Sequence, residues 1–493
     1  MIPILLIHGY SAESSATDPA SIKGIYGTLP DRLKAAYGAD AVFEVDVSRY
    51  VTLNDGVTID DLSRALDRAL RDDFQKLLTS GFQIIIHSTG ALVARNWVRR
   101  FAREHPGAPL KRIIYLAGAL LGSGWAHIGK GQLAKWGRKV FEGGAERGVQ
   151  VLDALEFGSS WTLDLHVHFL QEGSRLADYG VREAAIIGTQ ADVAWFMVPI
   201  RYAKEDGSDG VVRVAAGNPN YNYVRLEATA GAYALSWADV RSQVQAHTAS
   251  VSGAKATFYG IAEESYPGGA GRPYAPMAIA YECSHTGNNM GIVSGQQPMA
   301  QVFALVRAAL DSSDSDAAWA NLVDTFNAAT GATFDQAKAA APPPFWKRWI
   351  DEPHAQYDPH AQFIIRVFDQ NDRPVEHFDL FFDSDGQDTL PVGKLFEDKH
   401  LNERSPNCIC FYLRTSAWDG ATQSWADQLA KVGACHIEVT AVEPQTDSVQ
   451  YVPLRVSIPP AMLTQWIKPH ATTIVDVKLL RVPAPELFMI AKA

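Results

Sequence analysis

The stretch "SGFQIIIHSTGALVARNWVRR", Ser80–Arg100, decides how the first part of this chain is read. Behind Gly81, "FQIII" is a β-branched run that reads as a buried strand, and "GALVARNWVRR" has helical spacing. Ser88 falls at the junction. A tight strand-to-helix turn holds a serine hydroxyl away from the backbone, where an ester carbonyl reaches it. Such turns carry small residues two before and two after the serine. Gly90 meets the second requirement, and Ile86 departs from the first. The competing role for Ser88 is an ordinary N-cap, because serine is common just before a helix.

Outward from this point the chain alternates strands with amphipathic helices. "IPILLIHG", "AVFEVDV", "KRIIYLAG" and "EAAIIGTQ" read as strands, and "TIDDLSRALDRALRDDFQKLL" as a helix. This order predicts an α/β fold, a mostly parallel sheet with helices on both faces. The sheet is expected to continue at "NYVRLEA" and "KATFYGIA". The domain is expected over residues 1–340, with a helical lid or cap insertion at about 120–180, where the alternation breaks. Residues 341–360, with "APPPFW" and "DEPHAQYDPH", read as a linker. Beyond them, 361–493 have a period of two and predict an all-β sandwich, its first two strands joined by a turn at Asn371–Asp372.

"PILLIHGY" followed by "IHSTGALVAR" resembles the α/β-hydrolase superfamily, in particular its bacterial lipases and esterases. Those enzymes often read HG early and G-H-S-x-G-G-L-V-A-R at the nucleophile. The resemblance covers the residues before about Ala340, departs at Ile86, and has Ala91 where many relatives carry glycine. It implies the α/β-hydrolase fold and a nucleophile, acid and base in the order Ser, Asp, His. It also implies two backbone donors for the oxyanion, Tyr10 after His8-Gly9 and Thr89 after the nucleophile. His87 is expected to support the turn and takes no catalytic step.

A serine hydroxyl is a poor nucleophile until a histidine takes its proton and a carboxylate orients that histidine. Asp209 in "EDGSDGVVRVAAGNPNY" is similar to the D-G-[IV]-V loop that carries the acid in many lipases; Asp192 and Asp206 are its rivals. Each aspartate also suits a plain Asx-turn. His285 in "YECSHTGNNMGIV" follows the acid and sits among loop residues, whereas His247 in "RSQVQAHTAS" reads as a helix end. His166 and His168 in "LDLHVHF" would face one way on a strand, but two ligands do not close a metal site.

The expected activity is serine carboxylic ester hydrolysis, by a lipase or long-chain esterase, through Ser88, Asp209 and His285. Trp125, Trp136, Phe141 and Trp161 in the insertion suit a lid over an acyl chain, or a plain packing element. A phospholipase or acyltransferase on the same scaffold stays open, as does a catalytically inactive binding protein, for which Ile86 is the argument. No cofactor and no metal is expected.

A net charge of -11 repels phosphate backbones and leaves no basic stripe, so nucleic acid is not an expected partner. No apolar run approaches the roughly 20 residues of a membrane-spanning helix. Contact with lipid is therefore expected to be peripheral. "MIPILLIHGY" lacks a positively charged leading segment and reads as a strand, which fits a cytoplasmic protein or a mature secreted one. Cys283, Cys408, Cys410 and Cys435 match no metal knuckle, and a bridge from Cys435 to Cys408 or Cys410 stays open.

Overall fold

The computed structural model describes residues 2–7, 26–47, 50, 56–124, 126, 149–190, 205–249, 258–269, 271–285, 292, 297–340, 354–385 and 389–485. Strands β1 (Ile4–Ile7), β2 (Val42–Val45), β3 (Phe82–His87), β4 (Leu110–Leu116) and β5 (Arg182–Gly188) lie in one sheet. Strands β6 (Asn222–Ala228) and β7 (Tyr259–Ser265) leave for another sheet, and β8 (Met277–Ala280) returns. The order is β2-β1-β3-β4-β5-β8, with every neighbouring pair parallel.

Parallel strands need cover on both faces, which is why β1 and β3 read as unbroken apolar runs. Ile85, Ile114, Leu116 and Ile186 pack on one face with Val302 and Val306 of the helix Gln297–Asp311 and Phe326 of the helix Asp316–Ala339. The alternate residues point the other way, toward the helix Gly90–Phe101, whose Arg95 donates from Nε to the Tyr115 hydroxyl at 3.1 Å. Beside that helix runs Ile59–Asp72, started by a capping box between Thr58 and Asp61 and joined to it by Ser63 Oγ, 3.1 Å from the Val93 carbonyl.

One correction concerns organisation. The chain divides into one unit of Met1–Asn220, Pro267–Asp358 and Trp418–Ser424, and a second of Tyr221–Tyr266, Pro359–Ala417 and Trp425–Ala493. The chain passes from the first unit to the second at Asp358–Pro359, inside the stretch read as a linker, but Tyr221–Tyr266 also belong to the second unit, so β6 and β7 do not extend the first sheet. Their sequence carries the reason. Val224 and Leu226 are buried in the second unit's core while Arg225 and Glu227 alternate with them, a half-polar pattern unlike the apolar strands of the parallel sheet.

The second unit adds β9 (His360–Asp369), β10 (Phe378–Ser384), β11 (Phe396–Leu401), β12 (Cys408–Arg414) and the strands Cys435–Ala441, Leu454–Ile458 and Thr472–Leu479. One sheet runs β11-β12-β9, Thr472–Leu479, β6-β7; the other is β10, Cys435–Ala441, Leu454–Ile458. Phe363, Phe382, Ile437, Trp466 and Val475 fill the core that the two sheets share. The larger sheet is mixed, because Thr472–Leu479 pairs in parallel with both β9 and β6.

The expected hairpin at Asn371–Asp372 is also corrected. The turn forms, with Asp369 Oδ1 accepting from the Asn371 and Arg373 amides at 2.7 and 3.0 Å, but β9 and β10 belong to different sheets. His166 and His168 lie on the helix Ser160–His168 instead of a strand, so residues two apart diverge. All four cysteines are buried and none is in a disulfide, so Cys435 forms no bridge with Cys408 or Cys410. No described helix is long and apolar enough to cross a membrane.

Candidate active site

Ser88 has a positive φ of 54°, a left-handed conformation that costs a residue with a side chain about 1–3 kcal/mol. The turn is held around it: the Ser88 amide donates to Leu116 O at 3.2 Å, and its carbonyl accepts from the Ala91 and Ala119 amides at 3.1 and 3.2 Å. Thr89, not Ser88, occupies the N-cap position of the following helix. The Ser88 hydroxyl lies 3.0 Å from His285 Nε2.

Ile86 is fully buried opposite Tyr115 in the β3–β4 register, on the helix side of the sheet. A close approach in this corner falls after β4. A Cβ on Gly118 would stand 3.0 Å from Tyr115 Cβ and 3.2 Å from Ala91 Cβ. The turn thus accepts a branched residue before Ser88 and places its glycine at 118.

Asp209 is fully buried and divides its two oxygens between two tasks. Oδ1 accepts from the Val211 and Val212 amides at 3.0 and 2.7 Å, an Asx-type turn that fixes the carboxylate plane. Oδ2 faces His285 Nδ1 at 2.9 Å, and the His285 amide donates to the Asp209 carbonyl at 3.0 Å. Arg213 closes the loop, reaching Glu205 through Nε at 2.9 Å and through its terminal nitrogen at 2.6 Å, with its guanidinium 4.1 Å from the Phe157 ring centre. Asp206 shares this turn but is not the carboxylate at His285. Asp192 lies outside the described residues.

The His285 loop arrives over the end of β5. A Cβ on Gly188 would stand 1.8 Å from the Cys283 carbonyl oxygen, so only glycine lets the chain pass there. Burial, aided by the Asp209 charge, pushes the Cys283 thiol up to about 12, which leaves it protonated and unreactive near neutrality. His87 is buried against the same loop: its Nε2 lies 3.1 Å from the His285 carbonyl, and the two rings are 4.6 Å apart. It therefore braces the His285 loop as well as flanking Ser88. His247 belongs to the helix Trp237–Ala249 of the second unit.

One contributor carries no sequence signal. The buried Tyr26 hydroxyl donates to the Ile7 carbonyl at 2.5 Å and bonds the His87 amide, tying the ends of β1 and β3 where the functional segments begin. Burial pushes its ionisation upward. Tyr10, with His8 and Gly9, lies outside the described residues, as do Trp125, Trp136 and Phe141. Trp161 sits half-buried on the helix Ser160–His168. No group of three or more metal-ligating side chains occurs among the described residues.

A parallel sheet whose third strand delivers a strained serine to a histidine and aspartate from later loops is the α/β-hydrolase fold. No family model and no curated protein matches the chain. Among solved structures it is similar to phospholipase PlaB from Legionella pneumophila, at 23% identity and a TM-score of 0.76 over 100% of this chain and 96% of that one. The same phospholipase in complex with thio-NAD gives 21% identity and a TM-score of 0.75 over the same shares. The mature lipase BlEst2 from Bacillus licheniformis matches 44% of this chain and 79% of its own at 15% identity, with a TM-score of 0.32.

Proposed function

We propose that this chain is a lipolytic serine hydrolase that cleaves carboxylic esters through an acyl-enzyme. The observation that carries the reading is the line of hydrogen bonds from Asp209 through His285 to Ser88, at 2.9 and 3.0 Å. Ser88 Oγ attacks the ester carbonyl while His285 Nε2 takes its proton, and Asp209 holds the imidazole in the tautomer with hydrogen on Nδ1. The oxyanion forms against the Thr89 amide; among the described residues no hydrogen bond engages that amide. Tyr10 is the proposed second donor. His285 then returns the proton to the leaving alcohol and activates water to release the acid.

Among lipid esters, a phospholipid acyl ester is the favoured substrate. The likeness to a phospholipase runs through the whole chain, second unit included, which supports this choice over a triacylglycerol. The insertion between β4 and β5 is proposed to cover the acyl chain.

Ser88 is the first test. A fluorophosphonate is expected to add mass on the Ser88 peptide alone, and Ser88→Ala to lower kcat at least ~10⁴-fold. Comparing phosphatidylcholine vesicles, emulsified triacylglycerol and a water-soluble ester then separates the substrate classes. Unchanged turnover by Ser88→Ala overturns the reading; faster cleavage of triacylglycerol overturns the phospholipid assignment alone.

A further inference from the structure

The segment just before β9, read from sequence as part of a linker, is built against both loops that hold the acid and the base. Gln356 takes the acid loop at three points. Its side-chain Nε2 donates to the Ser208 carbonyl at 3.0 Å and the Glu205 carbonyl at 3.2 Å, and its own carbonyl accepts from the Gly207 amide at 3.1 Å. These three residues lead directly into Asp209.

Tyr357, the next residue, takes the base loop. Its hydroxyl accepts from the Glu282 amide at 3.1 Å, while its ring stacks on Tyr281 at 5.7 Å. Glu282 has a φ of 50°, so the loop is bent sharply three residues before His285. The segment itself is pinned at both ends on one residue: the His354 ring stacks 4.0 Å from that of Trp418, and Asp358 Oδ1 accepts from the Trp418 amide at 3.0 Å.

We propose that Gln356 and Tyr357 are positioning residues that set the spacing of Asp209 and His285, so the stretch entering the second unit is part of the active-site framework. The inference rests on the catalytic reading of Ser88, Asp209 and His285. Its physics is that of two loops far apart in sequence, whose shared 2.9 Å hydrogen bond survives only while both are fixed to a common body. A displacement of about 1 Å at such a site lowers the rate on the order of 10²-fold.

The test uses the full chain carrying Gln356→Met, which keeps the bulk and removes both donors, and Tyr357→Phe, which removes one oxygen. A water-soluble p-nitrophenyl ester gives kcat and KM, and thermal melting gives stability. Each variant is expected to lose about 10- to 100-fold in kcat, with KM within about twofold.

Phe326→Leu, in the core under the sheet, serves as a variant destabilised elsewhere and is expected to keep its kcat. Folded clamp variants with native kcat overturn the proposal, as does a loss matched by Phe326→Leu at equal melting temperature. Tyr357→Phe keeps the test open if Gln356→Met does not fold. If Ser88→Ala is as active as the native chain, the underlying catalytic reading has failed; if it is inactive while both clamp variants are normal, only the clamp has.

Discussion

At the scale of single residues, the site depends on conformations and spaces that few side chains tolerate. Ser88 was readable because its evidence is local: a β-branched run, a small residue and a helical run follow one another within a dozen positions. The choice of Asp209 and His285 rested on their order and their glycine- and asparagine-rich neighbours, and the structure brings the two side chains together beside Ser88. Ile86 looked like an obstacle because a local motif does not reveal that Gly118, just after β4, supplies a close approach to Ala91 of the following helix. Gly188 has a conventional backbone and no motif, yet the Cys283 carbonyl occupies the place of its side chain. Gly188→Ala is therefore expected to displace the His285 loop and reduce kcat more than 10²-fold in whatever protein folds. Steady-state kinetics on the folded fraction check this, and a native kcat refutes the steric argument.

At the scale of elements, the loops are held by buried charge and by backbone carbonyls. Arg213 is fully buried, and its side-chain partner Glu205 is 14% exposed, so neither tolerates losing the other. Arg213→Met is expected to destabilise the chain by about 3–5 kcal/mol, because it strands a carboxylate away from water. Adding Glu205→Gln is expected to restore much of that loss, as measured by denaturant unfolding. A double variant no more stable than the single one removes the ion-pair explanation. None of this was legible beforehand. A guanidinium at a β-strand-like "VVRVAAG" carries no mark of its partner, and Gln356 acts through the main chain of other residues, which no side-chain pattern encodes.

At the scale of the whole molecule, the two kinds of sheet were legible from periodicity, but their membership was not. The alternation in "NYVRLEA" already marks β6 as half-polar, and only the pairing with Thr472–Leu479 shows to which sheet it belongs. A chain ending at Asp358 would strip β6 of that partner and expose Val224, Leu226 and Tyr259, buried at 0%, 0% and 3%. It is expected in the insoluble fraction after lysis. A companion that also lacks Tyr221–Tyr266 is expected to regain solubility. A short Gly/Ser join suffices there, since Asn220 already hydrogen-bonds Ala275 across the excision. Equal solubility of the two truncations contradicts the interleaved arrangement.

That interleaving also sets a timetable for synthesis. Asn222 meets Thr473, 251 positions later, so the β6–β7 ribbon leaves the ribosome well before its neighbour exists. At a translation rate of about 5–20 residues per second, the delay is on the order of 10–50 s. Throughout it, a bare strand edge is open to other nascent chains. A holdase chaperone that covers that edge during the interval is expected to raise the yield of native protein.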